Sequence, residues 1–398
     1  MKHFTRILAL VFLLSTIIFS VTSPLVQARH HEEENNTINK TPGIASSPIP
    51  ADTTDNTTSN AANQLPNNDF KNNISQMKKW PIERIDKGGT LIFSDSPETV
   101  YNDGILYEDT VEGNGRLYYY HVNGTTASKK VVVMLKNMDD KNVNFDISRS
   151  ANAGPSADYL YVGKMSQVRY FGYQVPENIN LFQGQSKILD TKAGNMVIKK
   201  DQLVCGIYDF KTNGKVKITV AMMPIYENPQ TFLKTAHYLP TDSSRLRGTF
   251  SNMDRILRSK KAYNPEKDGT VYFRVADDND DKYLTGIDAT DGSQVKNYGN
   301  YGVLYYFDLP VVGMQKAHYY LQPLGGVYAG AVAAKMNNER SLSVFPTPAE
   351  RSFFGENSLQ TYFADLGTYG RNDNFYLQYS PPGASNLPVN IIMMPAEN

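Results

Sequence analysis

An all-β fold is predicted for this 398-residue chain: two tandem, duplicated β-sandwich domains behind a signal peptide and a disordered spacer. Three observations carry the prediction. Short β-branched and aromatic runs are punctuated throughout by Gly, Asn, Asp and Pro. Helical periodicity is scarce. Aromatic-rich segments recur in the same order in the two halves of the chain.

Lys2 and Arg6 precede an apolar run from Ile7 to Val21, and Val26 and Ala28 stand where a signal peptidase takes small or modest side chains. Residues 1–28 therefore read as a signal peptide cleaved after Ala28. The run is shorter than the roughly 18–20 apolar residues that span a bilayer, so no integral membrane segment is expected after cleavage. The mature protein is expected to be secreted or associated with the cell envelope. Residues 29–80 are rich in Asn, Thr, Ser and Pro and hold too few large apolar side chains to offset their ordering entropy. A disordered spacer is expected there, with His30-His31 and Glu32 to Glu34 as a solvated terminus.

Strand grammar begins near Pro81. Residues 129–135 and 215–223 read as strands, the second alternating and then wholly apolar, as in a central buried strand. Asn213-Gly214 is a hairpin signal. Asn228-Pro229 places an N-cap before a Pro at the first helical position, and Thr347-Pro348-Ala349-Glu350 has capping-box spacing. Each predicts one short helical turn.

Four anchors suggest duplication. Gly89 to Phe93 recurs as Gly269 to Phe273, 180 residues on, and Leu117 to Tyr120 as Leu304 to Phe307, 187 residues on. Tyr170-Phe171-Gly172 answers to Phe353-Phe354-Gly355, and Met222-Met223-Pro224 to Met393-Met394-Pro395. Insertion of loops after duplication leaves such a pattern. The expected organisation is a first sandwich over 81–226, a linker with a short helix over 227–268, and a second sandwich over 269–398. Up-and-down barrels are the rival architecture.

The chain has 40 basic and 40 acidic residues, and loss of Lys2 and Arg6 leaves 38 against 40. That balance lacks the cationic excess a nucleic-acid binder needs. The basic stretch 255–261 reads as a solvated face. One Cys excludes an intramolecular disulfide, and Cys205, among strand formers with no cationic neighbour, reads as a buried hydrophobe. His121, His237 and His318 show no metal-ligand spacing. The densest polar constellation is Asp277, Asp278 and Asp280, with Asp281, followed by Asp288 and Asp291. Calcium takes several carboxylate oxygens on a turn, so this run is the candidate for a structural calcium site, although its spacing is not that of an EF-hand. Asp288 and Asp291 are also the candidate carboxylates of a glycan hydrolase. Tyr298, Tyr301, Tyr305 and Tyr119 are the candidate ligand-binding rings, because alternate residues of a strand face opposite ways and an outward ring can stack on a sugar or meet a protein partner.

Two stretches, Gly89 to Glu98 and Tyr283 to Ser293 running on to Asn297-Tyr298-Gly299-Asn300-Tyr301-Gly302, resemble a group of exported bacterial proteins labelled copper amine oxidase-like. The resemblance covers most of the chain from Pro81 onward. It implies export but not the oxidase reaction. Such an oxidase uses an H-x-H copper pair and a Tyr in a T-x-x-N-Y-D/E context, whereas here Gln294 takes the Thr position, Gly299 follows Tyr298, and no H-x-H occurs. No residue is carried over from that enzyme. The function expected is a non-enzymatic binding or structural protein of the envelope or exterior, associated with cell-wall or extracellular polysaccharide. The alternatives are a secreted glycan hydrolase and a surface protein that binds a protein partner.

Overall fold

Alternating apolar side chains over 104–123 and 203–224 form the two longest strands, Gly104–Asn123 and Leu203–Pro224, which pair antiparallel along most of their length. They belong to a computed structural model that describes residues 75–336, 339–355, 363–373 and 375–397; the expected signal peptide and most of the expected spacer lie outside these residues. A strand of 22 residues is far beyond the roughly 5–6 of an ordinary one. No single partner covers it. Leu203–Pro224 pairs with Val143–Ser156 along its first part and with Lys129–Asn137 along its last. The exchange of partner falls at Asn213-Gly214, where the register shifts between Thr212 and Val216. The hairpin expected there is absent. The Thr212 hydroxyl donates to the Gly214 carbonyl at 2.8 Å, and the Asn213 side-chain carbonyl accepts from the Asn144 N–H at 2.9 Å. The turn-forming groups thus serve a bulge, which bends a strand without reversing it.

Among the described residues, strands fall into three sheets of eleven, five and six, and the fold is all-β. In the largest, the long pair is flanked on one side by Thr90–Ser94, Arg247–Phe250, Thr285–Ile287 and Gln294–Lys296. The five-stranded sheet runs Lys78–Lys79, Val271–Val275, Val389–Pro395, Ala317–Pro323, Ala364–Tyr369. The six-stranded sheet runs Ser343–Thr347, Gly330–Met336, Phe375–Tyr379, Leu304–Asp308, Asp254–Ser259, Ile82–Lys87.

The boundaries expected at 226 and 269 do not divide these sheets. Ile82–Lys87 from the expected first domain pairs with Asp254–Ser259 of the expected linker, beside Leu304–Asp308. Thr285–Ile287 from the expected second domain extends the sheet of the long pair through Arg247–Phe250. All described residues fall in one compact unit. The sequence recurrences have mixed positions. Leu117 to Tyr120 and Leu304 to Phe307 each lie in a strand with both parallel and antiparallel neighbours. Thr90–Ser94, however, adjoins its Leu117 strand, whereas Val271–Val275 lies in a different sheet from Leu304–Asp308. The ordered chain also starts before Pro81: Trp80 is buried, donates from its indole N–H to Ser259 at 2.6 Å, and packs edge-on against Tyr263.

Alternation sends successive side chains of Gly104–Asn123 into two cores. Leu117 and Tyr119 join Ile92, Leu106, Val133 and Ile218 on one face. Tyr118, Tyr120 and Val122 join Phe93, Leu304, Tyr319 and Ile391 on the other. Both faces of the central strands are therefore covered.

One helix of 13 residues, Tyr159–Phe171, was not legible as a period. Its buried positions 162, 163, 166, 167, 170 and 171 form a helical stripe, but Gly163, Ser166 and Gln167 occupy half of it. Asp158 caps it, accepting from the Tyr161 N–H at 2.9 Å. Pro229–Phe232 forms as expected behind the Asn228 cap. The same Asn-Pro signal at Asn264 starts Pro265–Asp268. The turn expected at Thr347 does not form, because Thr347 pairs with Gly330 as the end of a strand.

Candidate functional site

The acidic residues expected to hold calcium are committed to other partners. Asp277 accepts from the N–H groups of Asn279, Asp280 and Asp281 at 2.8 to 3.1 Å. Lys296 binds Asp278, Lys79 binds Asp280, and Arg245 binds Asp291. Asp288 is wholly buried and paired with Arg247 at 2.8 Å. Among the described residues no group of three or more His, Cys, Asp or Glu is placed to hold a metal ion. Asp288 and Asp291 are likewise not a catalytic pair. Arg247 holds Asp288 and Thr290 while donating to the carbonyls of Ser96, Leu106 and Leu239, so Asp288 serves to fix strands.

Two of the four candidate rings are buried and a third, Tyr301, is partly so. Tyr119 is buried and donates to Asn152; Tyr305 is buried, donates to Asp281 at 2.8 Å and accepts from Asn300 at 2.8 Å. Tyr301 donates to the Ser385 carbonyl at 2.9 Å and stacks on Phe93 at 6.3 Å. Only Tyr298 of the four is exposed, edge-on to Tyr283 and with Lys296 5.8 Å from its ring centroid. The loop that carries them is fixed rather than free: the Asn297 side chain both accepts from the Tyr301 N–H and donates to the Tyr301 carbonyl.

Stacking of Phe93 on Tyr301 joins the segments 89–98 and 297–302, which lie two hundred residues apart, and beside that junction the chain leaves Thr90–Ser94 in the turn Asp95-Ser96-Pro97-Glu98. Buried His121 holds the turn from behind, 2.9 Å from the Ser94 hydroxyl through Nε2 and 2.9 Å from the Pro97 carbonyl through Nδ1. A carbonyl only accepts, so Nδ1 carries the proton and Nε2 accepts from Ser94. Burial pushes the imidazole down to about 4 against the opposing Pro97 hydrogen bond, which leaves it neutral. Ser94 is fully buried and its His faces a carbonyl rather than a carboxylate, so this pair positions the turn and is no nucleophile. Asp242 holds the other side, accepting from the Ser96 hydroxyl and the Glu98 N–H, each at 2.9 Å. Desolvation opposes its charge, but these bonds and those from Ser244 and Arg245 outweigh it and keep its pKa below the ordinary carboxylate value.

Asp95 has no such support. It is 8% exposed, and its Oδ1 is buried with no hydrogen-bond partner. Burial, and then the charges of Glu98 and Asp242, raise its pKa well above the ordinary value. Glu98 stands exposed in the same turn, its own pKa raised by desolvation and by Asp242. The Asp95 charge in turn raises the phenols of Tyr118, Tyr120 and Tyr301, each already raised chiefly by burial. Half-buried Tyr159, at the start of the 13-residue helix, feels both Glu98 and exposed Tyr101. A buried carboxyl oxygen without a partner, next to a second carboxyl at the surface, makes this turn the candidate site. Sequence reasoning placed Asp95 and Glu98 in a resembling segment but gave them no role, since burial without a partner leaves no mark in composition.

A concavity of about 310 Å³ is lined by Lys79, Trp80, Ile82, Arg84, Lys260 and Asp280 among others. Lys79 and Asp280 pair there, and Arg84 donates to the Arg274 carbonyl at 2.9 Å. Cys205 is buried, and burial pushes its thiol up to about 12, so it is no nucleophile.

No family model and no curated protein matches the chain. Among solved structures it is similar to the crystal structure of vicilin from Solanum lycopersicum (tomato), at 10% identity over 73% of this chain and 74% of that one, with a TM-score of 0.13. A likeness at that level carries no argument about fold or function.

Proposed function

We propose that this is an exported, non-enzymatic glycan-binding protein of the cell envelope or exterior, and that the Asp95 to Glu98 turn with its tyrosines is where it binds. The observation that carries the reading is the buried Asp95 carboxyl, whose Oδ1 has no hydrogen-bond partner, in a turn that also carries exposed Glu98 and is followed by exposed Tyr101. Sugars offer many hydroxyl donors and flat apolar ring faces, which suit a surface carboxyl near an exposed aromatic ring. The export signal read at residues 1–28 supports the location. Co-sedimentation of the purified protein with cell walls and insoluble polysaccharides tests the proposal: binding without sugar release is expected, and a protein that stays in every supernatant contradicts it. The raised pKa values of Asp95 and Glu98 favour one second reading, a hydrolase with a protonated carboxyl as general acid. Sugar release that disappears in Glu98→Gln would establish that reading in place of the first.

A further inference from the structure

The concavity of about 310 Å³ lies where the chain crosses from the five-stranded sheet to the six-stranded one. Lys78–Lys79 pairs with Val271–Val275, and after Trp80 and Pro81 the strand Ile82–Lys87 pairs with Asp254–Ser259. Three hydrogen bonds pin the crossing. The Trp80 backbone N–H donates to the Tyr272 carbonyl at 2.7 Å, its indole N–H to Ser259 at 2.6 Å, and the Lys260 N–H to the Pro81 carbonyl at 3.0 Å. They bring Lys79 and Lys260, far apart in sequence, into one lining with Arg84, over the apolar surface of Trp80, Ile82 and Phe273. That lining holds three cations and one acid, Asp280. Lys79 is paired with Asp280, and Arg84 lies 3.3 Å from Asp281, an acid that Arg255 already holds at 2.7 Å. Lys260 is exposed and has no ion pair among the described residues. In a chain of 40 basic and 40 acidic residues this local surplus of positive charge is a departure.

We infer that this concavity is a second binding site, which takes an oxyanion carried on a sugar, either the carboxylate of a uronate or the phosphate of a sugar phosphate. The Lys260 ammonium offers three donors and a charge that no acid offsets, and Arg84 adds a second cation. The apolar surface between them gives a sugar ring something to rest on. A neutral sugar gains nothing from the surplus charge, and an ammonium meets like charge. The site uses no residue of the 95–98 turn. The anion site itself stands without the glycan-binding reading, whereas the choice of a sugar as the carrier rests on it. Charges this close to water are screened, so affinity falls with added salt.

Calorimetric titration of the purified protein at low salt with a galacturonate oligomer, glucose 6-phosphate and a neutral galactose oligomer tests this. The expected result is that at least one acidic sugar binds about tenfold or more tighter than the neutral one, the tighter of the two naming the source of the oxyanion. Lys260→Gln, which leaves no partner behind, should weaken that binding about fivefold. Asp280→Asn, which frees Lys79, should tighten it by about the same factor, and Asp95→Asn should leave it unchanged. Equal binding of acidic and neutral sugars, binding of none, or a preference that neither Lys260→Gln nor Asp280→Asn moves overturns the inference. Loss of the preference in Asp95→Asn overturns it too, by placing the anion at the turn. A protein that fails these titrations but pellets with cell walls keeps the glycan-binding reading; one that follows the lining variants but ignores the walls keeps the anion site alone.

Discussion

Asp95 carries a free-energy penalty that is visible without any ligand. Burial holds its folded-state pKa above the ordinary value of 3.8, so the folded form prefers the neutral acid. The stability this preference lends is fully present below the ordinary Asp pKa and is lost as pH rises through the raised one. Asp95→Asn keeps the shape and removes the charge. It should leave the melting temperature near that of the wild type at low pH and raise it increasingly as pH goes up, a dependence that a pH series of thermal melts would read directly. At the same scale the tyrosine candidates show what alternation can and cannot say. The inward and outward sense of Tyr118, Tyr119 and Tyr120 was legible, since they do enter opposite faces. That both faces are covered was not, because the residues over Tyr118 and Tyr120, such as Leu304, Tyr319 and Ile391, come from strands more than a hundred residues away.

The elements divide by how local their cause is. Lys129–Asn137, Leu203–Pro224 and Pro229–Phe232 were legible because β-branched runs and an Asn-Pro cap act within a few residues. The Asn213-Gly214 bulge was read as a turn because the same residues suit both, and only the two partners of Leu203–Pro224 decide between them. Tyr159–Phe171 escaped because its buried stripe is chosen for closeness rather than apolarity. At Gly163 an added Cβ would lie 1.9 Å from the Gly383 carbonyl oxygen, and Gly383 lies against Tyr118 and Tyr120. Gly163→Ala, favourable to an isolated helix, should therefore destabilise this protein by at least about 2 kcal/mol in denaturant titrations, since backbone must move to admit the methyl group. It should also weaken glycan binding, because the segment it displaces packs on the rings below Asp95.

Over the whole molecule, the all-β class was legible and the partition into two sandwiches was not a division of the sheets. Strand exchange between the halves is fastened by Arg116, which pairs with Asp209 at 2.5 Å and Asp254 at 3.1 Å and donates to the carbonyls of Met253 and Gly302. Arg116→Met leaves two acids and two carbonyls without their donor and should cost about 3–5 kcal/mol. The single tryptophan, Trp80, packs against Tyr263, so its fluorescence and far-ultraviolet circular dichroism should report one coincident unfolding transition in both proteins. Two separated transitions would mean that the halves fold apart. Because the acidic run 277–291 is held by Lys, Arg and backbone N–H groups, EDTA should leave the melting temperature unchanged. A fall on chelation would show a metal that these contacts do not account for.

The central claim is that the Asp95 to Glu98 turn is the glycan-binding site, and the most direct measurement is co-sedimentation with cell walls of the wild type beside Asp95→Asn and Tyr101→Ala. The account predicts that the wild type pellets, while both variants, with unchanged circular dichroism, remain largely in the supernatant. Variants that pellet as the wild type does, or a wild type that ignores the walls, would contradict it.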